Sequence, residues 1–123
     1  THCISSAASD VYKRQEIVYE TTATAPPEEL HRFFLACRED GFQPARRRLR
    51  ELLDRFGLAG TDLINQLHRG LGDVPFLSEG QKLAVTETMA EADYRMVEGG
   101  GEALQLDAMT ARLCTLLSPE LQK

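Results

Sequence analysis

The chain has 123 residues, a length that suits one compact domain, with 42% hydrophobic and 27% charged residues, ordinary proportions for a globular fold. A formal charge of −5 gives no bulk attraction to nucleic acid or to an anionic surface. Apolar runs of only a few residues exclude a transmembrane helix, and three widely spaced cysteines (Cys3, Cys37, Cys114) argue against a disulfide framework and fit a reducing compartment.

Residues 1–15 are polar and carry no apolar period. The run from Ser5 to Gln15 (SSAASDVYKRQ) resembles the in-frame translation of a transposase-type sequencing-library adapter. The expectation is that residues 1–15 are not native sequence and carry no function; a disordered native N-terminus is the alternative. No charged-then-apolar stretch of the secretory kind opens the sequence. Residues 16–25 (EIVYETTATA) are rich in Thr and β-branched side chains and run into Pro26-Pro27, which reads as an extended linker ending where a helix begins.

Pro27 suits a first helical turn, with Glu28 and Glu29 near the positive end of the helix dipole. Leu30, Phe33, Phe34 and Cys37 recur at i, i+3, i+4 and i+7, and Gly41 stops this first helix. A second helix is expected from Pro44, with Ala45, Leu49, Leu52, Leu53 and Phe56 on one face and Gly57 at its end. The third starts near Gly60 or Thr61 and places Leu63, Ile64, Leu67 and Leu71 on one side before Gly72. Ser78 and Gln81 have the spacing of a capping box, and Val85, Met89, Ala92 and Met96 continue that fourth helix to the break at Gly99-Gly100-Gly101. A fifth carries Leu106, Met109, Leu113, Leu116 and Leu117 and stops at Pro119. Five amphipathic helices with short Gly or Pro joints predict an all-α, single five-helix bundle over residues 26–118, with residues 119–123 as a tail.

The chain shows little chemistry of its own. No C-x-x-C, H-E-x-x-H or EF-hand spacing is present, so no metal site is expected. His31 and His68 fall on different helices, and Cys37 and Cys114 fall on apolar faces, where a small buried hydrophobe is the plainer role. The three glycines at 99–101 follow no strand and precede no Gly-Lys-Ser/Thr, so they read as a turn between helices and not as a phosphate cradle. No catalytic, cofactor-binding or metal-binding residue can be named. Arg46, Arg47, Arg48, Arg50 and Arg55 form the densest charge feature. Glu51 and Asp54 stand four residues from Arg47 and Arg50, so local ion pairs on a solvated face are the first expectation. A subunit contact and a nucleic-acid contact are the alternatives.

Two stretches carry a resemblance. Residues 57–69 (GLAGTDLINQLHR) resemble the GLSG-x-D-I-I-x-Q-L-H-R pattern of replication factor C small subunits. Residues 91–99 (EADYRMVEG), with Glu102 and residues 105–109 (QLDAM), resemble that family's E-x-D-Y-R-L-x-E-G-x-N-E-x-I-Q-L-E-A segment. Val18 to Thr22 followed by Pro27-Glu28-Glu29 looks like the family's exit from its lid domain, and the flavour is archaeal. Ala59 stands where the family often has a capping Ser, and Gly100-Gly101 replaces its small-residue–Asn pair.

The resemblance implies a C-terminal collar domain of a DNA clamp loader, an oligomerisation domain that packs with other clamp-loader subunits into a pentameric ring. The ATP- and Mg-binding AAA+ module, the lid, and the contacts to sliding clamp and primer–template DNA would lie in a preceding part of the parent. The chain itself would be neither an enzyme nor membrane-bound, and it would be cytoplasmic. Candidate subunit-interface residues are His68, Arg69, Asp93, Tyr94, Arg95, Glu98 and Gln105, since polar groups among apolar positions suit boundary hydrogen bonds; mutual satisfaction inside one subunit is the alternative. A ring-forming surface without neighbours implies self-association of the free domain. A free-standing helical adaptor, or a small DNA-binding domain using the arginines of residues 46–55, are the competing readings from other classes.

Overall fold

The computed structural model describes residues 24–119, so the expectations for residues 1–15, most of the 16–25 linker and the last residues of the tail lie outside the described residues. Five helices follow in order: α1 (Pro27–Glu39), α2 (Phe42–Phe56), α3 (Gly60–Leu71), α4 (Glu79–Val97) and α5 (Glu102–Leu117). No strand occurs among the described residues, and the all-α bundle is as the periodicity predicts.

α5 is the centre of the bundle, since all four other helices pack on it, α4 most extensively. Its buried row of Leu106, Met109, Thr110, Leu113, Cys114 and Leu117 spans more of the helix circumference than a surface helix needs. Thr110 is buried on that row and satisfies its hydroxyl by donating to the Leu106 carbonyl at 2.8 Å. α1 contributes Phe33 and Phe34, both fully buried with ring centroids 5.6 Å apart. Removing either ring would cost about 3–5 kcal/mol by the usual price of a large core cavity.

The helix boundaries have local causes. α2 begins at Phe42, two residues before the proline taken as its start, with Gly41 as N-cap. Pro44 therefore sits third in the helix, where a backbone N–H has no intrahelical acceptor to lose. α2 ends at Gly57, whose left-handed φ of 62° closes the last turn, and the Leu58 N–H donates back to the Leu53 carbonyl at 3.0 Å. The capping box of α4 is formed as expected, with the Gln81 N–H donating to Ser78 Oγ and the Ser78 N–H to Gln81 Oε1.

The turn into α5 is held by a close approach. A Cβ on Gly100 would stand 2.8 Å from the Arg95 carbonyl oxygen and 3.0 Å from Gln105 Nε2, so only glycine fits there. The connector between α3 and α4 also belongs to the core. Val74 and Leu77 are buried, and Phe76 packs partly under the Arg38 guanidinium, 5.6 Å from its ring centroid.

Candidate functional site

The candidate residues divide into two groups. Asp93, Tyr94, Arg95 and Glu98 occupy the end of α4, and Gln105 follows on the first turns of α5, across the glycine turn. His68 and Arg69 are exposed on the last turn of α3. Lys82 at the start of α4 donates to the Gly72 carbonyl at 2.9 Å, which fixes the end of α3 beside the opposite end of α4. At 1.5 Å rise per residue the two groups are thus roughly 20 Å apart along α4. They do not form one site.

At the α4–α5 end the side chains adopt different situations. Tyr94 keeps 64% of its surface exposed, Arg95 and Glu98 are exposed, and Asp93 and Gln105 are half-buried. Arg95 pairs with Glu91 one turn back, the arrangement expected of a helical i,i+4 pair. Arg95 and Gln105 line a shared groove between α4 and α5 of about 380 Å³, together with Thr88, Glu91, Ala108 and Arg112. Its walls carry both signs of charge and no nucleophile–base pair. Among the described residues, no group of three His, Cys, Asp or Glu could hold a metal ion, and no helix is long and apolar enough to cross a membrane.

The arginines of α2 are organised differently from the expectation of local pairs. Arg46 Nε donates to Asp107 Oδ2 at 3.0 Å, and Arg50 reaches both carboxylate oxygens of Asp107 at 3.2 and 3.0 Å. Arg55 and Arg48 turn instead toward Glu29 of α1, at 3.7 and 4.0 Å, and Glu29 also accepts from Arg32. No ion pair joins these arginines to Glu51 or Asp54 among the described residues. The cause is burial of the acceptor: the Glu29 and Asp107 side chains are only 15% and 23% exposed, so guanidinium donors replace water they have partly lost. Four of the five arginines thereby tie α2 to α1 and α5. Only Arg47 is exposed with no hydrogen-bond or ion-pair partner among the described residues.

Three polar residues whose contacts the sequence reading did not name tie elements of the domain together. Gln66 is buried on α3 and its Oε1 accepts the Ala25 N–H at 2.8 Å, docking the incoming chain. Glu102 Oε1 accepts the Gly60 N–H at 3.0 Å and so supplies α3 with the cap that Ala59 cannot. Asp107 is the third. All three lie within or beside the two stretches that carried the resemblance, and a polar residue on an apolar helical row was the available signal for Gln66. Cys37 and Cys114 are buried as expected. The hydrogen bond between them, together with burial, holds the Cys37 thiol far above its ordinary range, and the same hydrogen bond lowers Cys114, whose side chain is nevertheless buried.

Comparison with known proteins agrees with this architecture. The profile of the Replication factor C C-terminal domain matches residues 25–112, nearly all of the five helices. A Replication factor C small subunit of Natronomonas pharaonis is 40% identical over 99 residues, covering 80% of this chain and 30% of that protein. The small subunit of Methanocella arvoryzae is 35% identical over 96 residues, covering 78% and 30%. That of Sulfurisphaera tokodaii is 35% identical over 109 residues, covering 86% and 33%. The chain thus spans about a third of the length of these relatives. A five-helix bundle with the capping, docking and tie residues set inside the shared motifs, matched along residues 25–112, belongs to the replication factor C C-terminal domain family.

Proposed function

We propose that this chain acts as the collar of a clamp-loader small subunit, an oligomerisation domain that holds neighbouring subunits in a pentameric ring. The observation that carries the reading is a bundle with one continuous buried core that keeps large side chains (Leu83, Tyr94, Val97 and Leu104) on its outside. In this reading ATP and Mg bind the AAA+ module of the parent, and the ring loads a sliding clamp onto primer–template DNA in the cytoplasm of an archaeal cell. The collar contributes no catalytic group. A direct nucleic-acid role for α2 is disfavoured, because four of its five arginines are already bound to Glu29 and Asp107.

A chimera tests it. The chain from Ala25 onward replaces the matching C-terminal segment of the Natronomonas pharaonis small subunit, and assembly is followed by native mass spectrometry. Rings of the same subunit number as the unaltered protein are expected, with clamp-stimulated ATPase retained. A chimera that folds yet stays monomeric where the unaltered protein assembles would refute the collar reading.

A further inference from the structure

α4 is apolar on two opposite sides. Val85, Met89, Ala92 and Met96 recur at steps of four, three and four and face the bundle, Met96 half-buried and the others buried. Leu83, Glu87, Ala90, Tyr94 and Val97 recur at steps of four, three, four and three on the other side, about 200° around the helix. All five are exposed, and Leu83, Tyr94 and Val97 keep 63%, 64% and 69% of their surfaces. Three large side chains aligned on one outward face are more than the single hydrophobes any surface carries. Their spacing is that of a seam that receives another helix. Among the described residues α4 packs on α3 and α5, and neither covers that face.

The charge around the seam selects its occupant. Glu87 stands in it and Glu91 and Glu98 flank it; of the exposed cations nearby, Arg95 is held by Glu91 and Arg112 lies across the groove on α5. The complementary surface is α2, which carries five arginines against two acids and where Arg47 is exposed without a partner among the described residues. α2 packs against α5 near Ala103, Leu106 and Asp107, whereas α4 packs near Gln105, Ala108 and Arg112. These are separate flanks of α5, so the arginine surface and the acidic seam of one molecule look away from each other.

We infer that the outward seam of α4 receives α2 of a second copy of this chain, head to tail; the inference rests on the assembly reading above. Arg47 of one copy sets its guanidinium against Glu87 and Glu91 of the next and over the face of Tyr94. The aliphatic stems of the arginines lie along Leu83, Ala90 and Val97 while their heads reach the carboxylates. Such a contact is heterologous. Each assembly retains one free α2 at one end and one free seam at the other, so addition continues in one direction until the rotation closes a ring.

Sedimentation velocity on the full chain in the high micromolar range tests this, with circular dichroism melts to show that every variant folds. Wild-type protein associates, and added salt weakens the association. Arg47→Glu and Glu87→Arg each weaken it at least about tenfold, or about 1.4 kcal/mol. An equimolar mixture of the two recovers association, because boundaries between alternating variants join opposite charges; a closed ring of five would keep one like-charged boundary. If Arg47→Glu associates like the wild type while Tyr94→Ala does not, the seam is used without α2, and the inference fails while the collar reading stands. A mixture that does not recover also refutes the inference. Wild-type protein that stays monomeric throughout removes both the inference and the assembly reading on which it rests.

Discussion

Gln66 shows what one buried amide contributes here. It lies on α3 between Ile64 and Leu67, all three buried, where a leucine would pack as well. Its Oε1 is nevertheless the acceptor for the buried Ala25 N–H. Gln66→Leu leaves that N–H without its acceptor and should lower unfolding free energy by about 1–3 kcal/mol in urea titrations. Glu102→Ala removes the cap of α3 and should cost about 1 kcal/mol by the same measurement. Both residues are visible in the motif stretches, but their roles are not legible there. Their partners lie 41 and 42 residues away in the chain, and no helical period reports a contact between elements. The thiols were legible, because an apolar helical position already predicts burial. Cys37 and Cys114 should resist alkylation in native protein and label readily once it is unfolded, as peptide mass mapping would show.

Helices were the most legible elements, because rows such as Leu30, Phe33, Phe34 and Cys37 write the 3.6-residue period directly into the chain. The start of α2 was misplaced by two residues because proline favours the first helical position but is also tolerated later in the first turn, where Pro44 sits. The connector from 72 to 78 was illegible as core, since Val74 and Leu77 are buried from irregular backbone that has no period. At the turn between α4 and α5 the three consecutive glycines look alike in the sequence and differ in the structure. Gly100 has no room for a Cβ, while a Cβ on Gly101 meets nothing within 4 Å. Gly100→Ala should therefore destabilise by about 1–3 kcal/mol through overpacking against the Arg95 carbonyl. Gly101 is the N-cap of α5, with φ −62° and ψ 129°, a conformation open to any residue. Gly101→Ser should stabilise by about 0.5 kcal/mol, from a new cap and a less flexible unfolded chain. Thermal melts of the two variants should move in opposite directions.

Across the whole molecule, charge is sorted by the packing of the helices. Counting arginines placed a basic surface on α2, but only the fold shows that two carboxylates from other helices consume most of it. Asp107 on α5 accepts from Arg46 and Arg50, and Glu29 on α1 gathers Arg32, Arg48 and Arg55, so α2 is tied on both sides. The remaining arginine of α2, Arg47, has no hydrogen-bond or ion-pair partner among the described residues. This separation makes a prediction that one pair of variants can check. Asp107→Ala unties α2 from α5 and leaves two arginines facing each other, with side chains 38% and 44% exposed. Because water still reaches both, the loss should be only about 1 kcal/mol at low salt and should shrink as salt is added. Arg47→Ala should leave monomer stability within about 0.5 kcal/mol of wild type at any salt. Urea unfolding at low and high ionic strength, at protein concentrations too dilute for association, separates the two. A salt-dependent loss for Asp107→Ala beside an unchanged Arg47→Ala would show that the fold uses one set of arginines internally and leaves the other for contact. Equal losses in both would mean that Arg47 also serves the monomer.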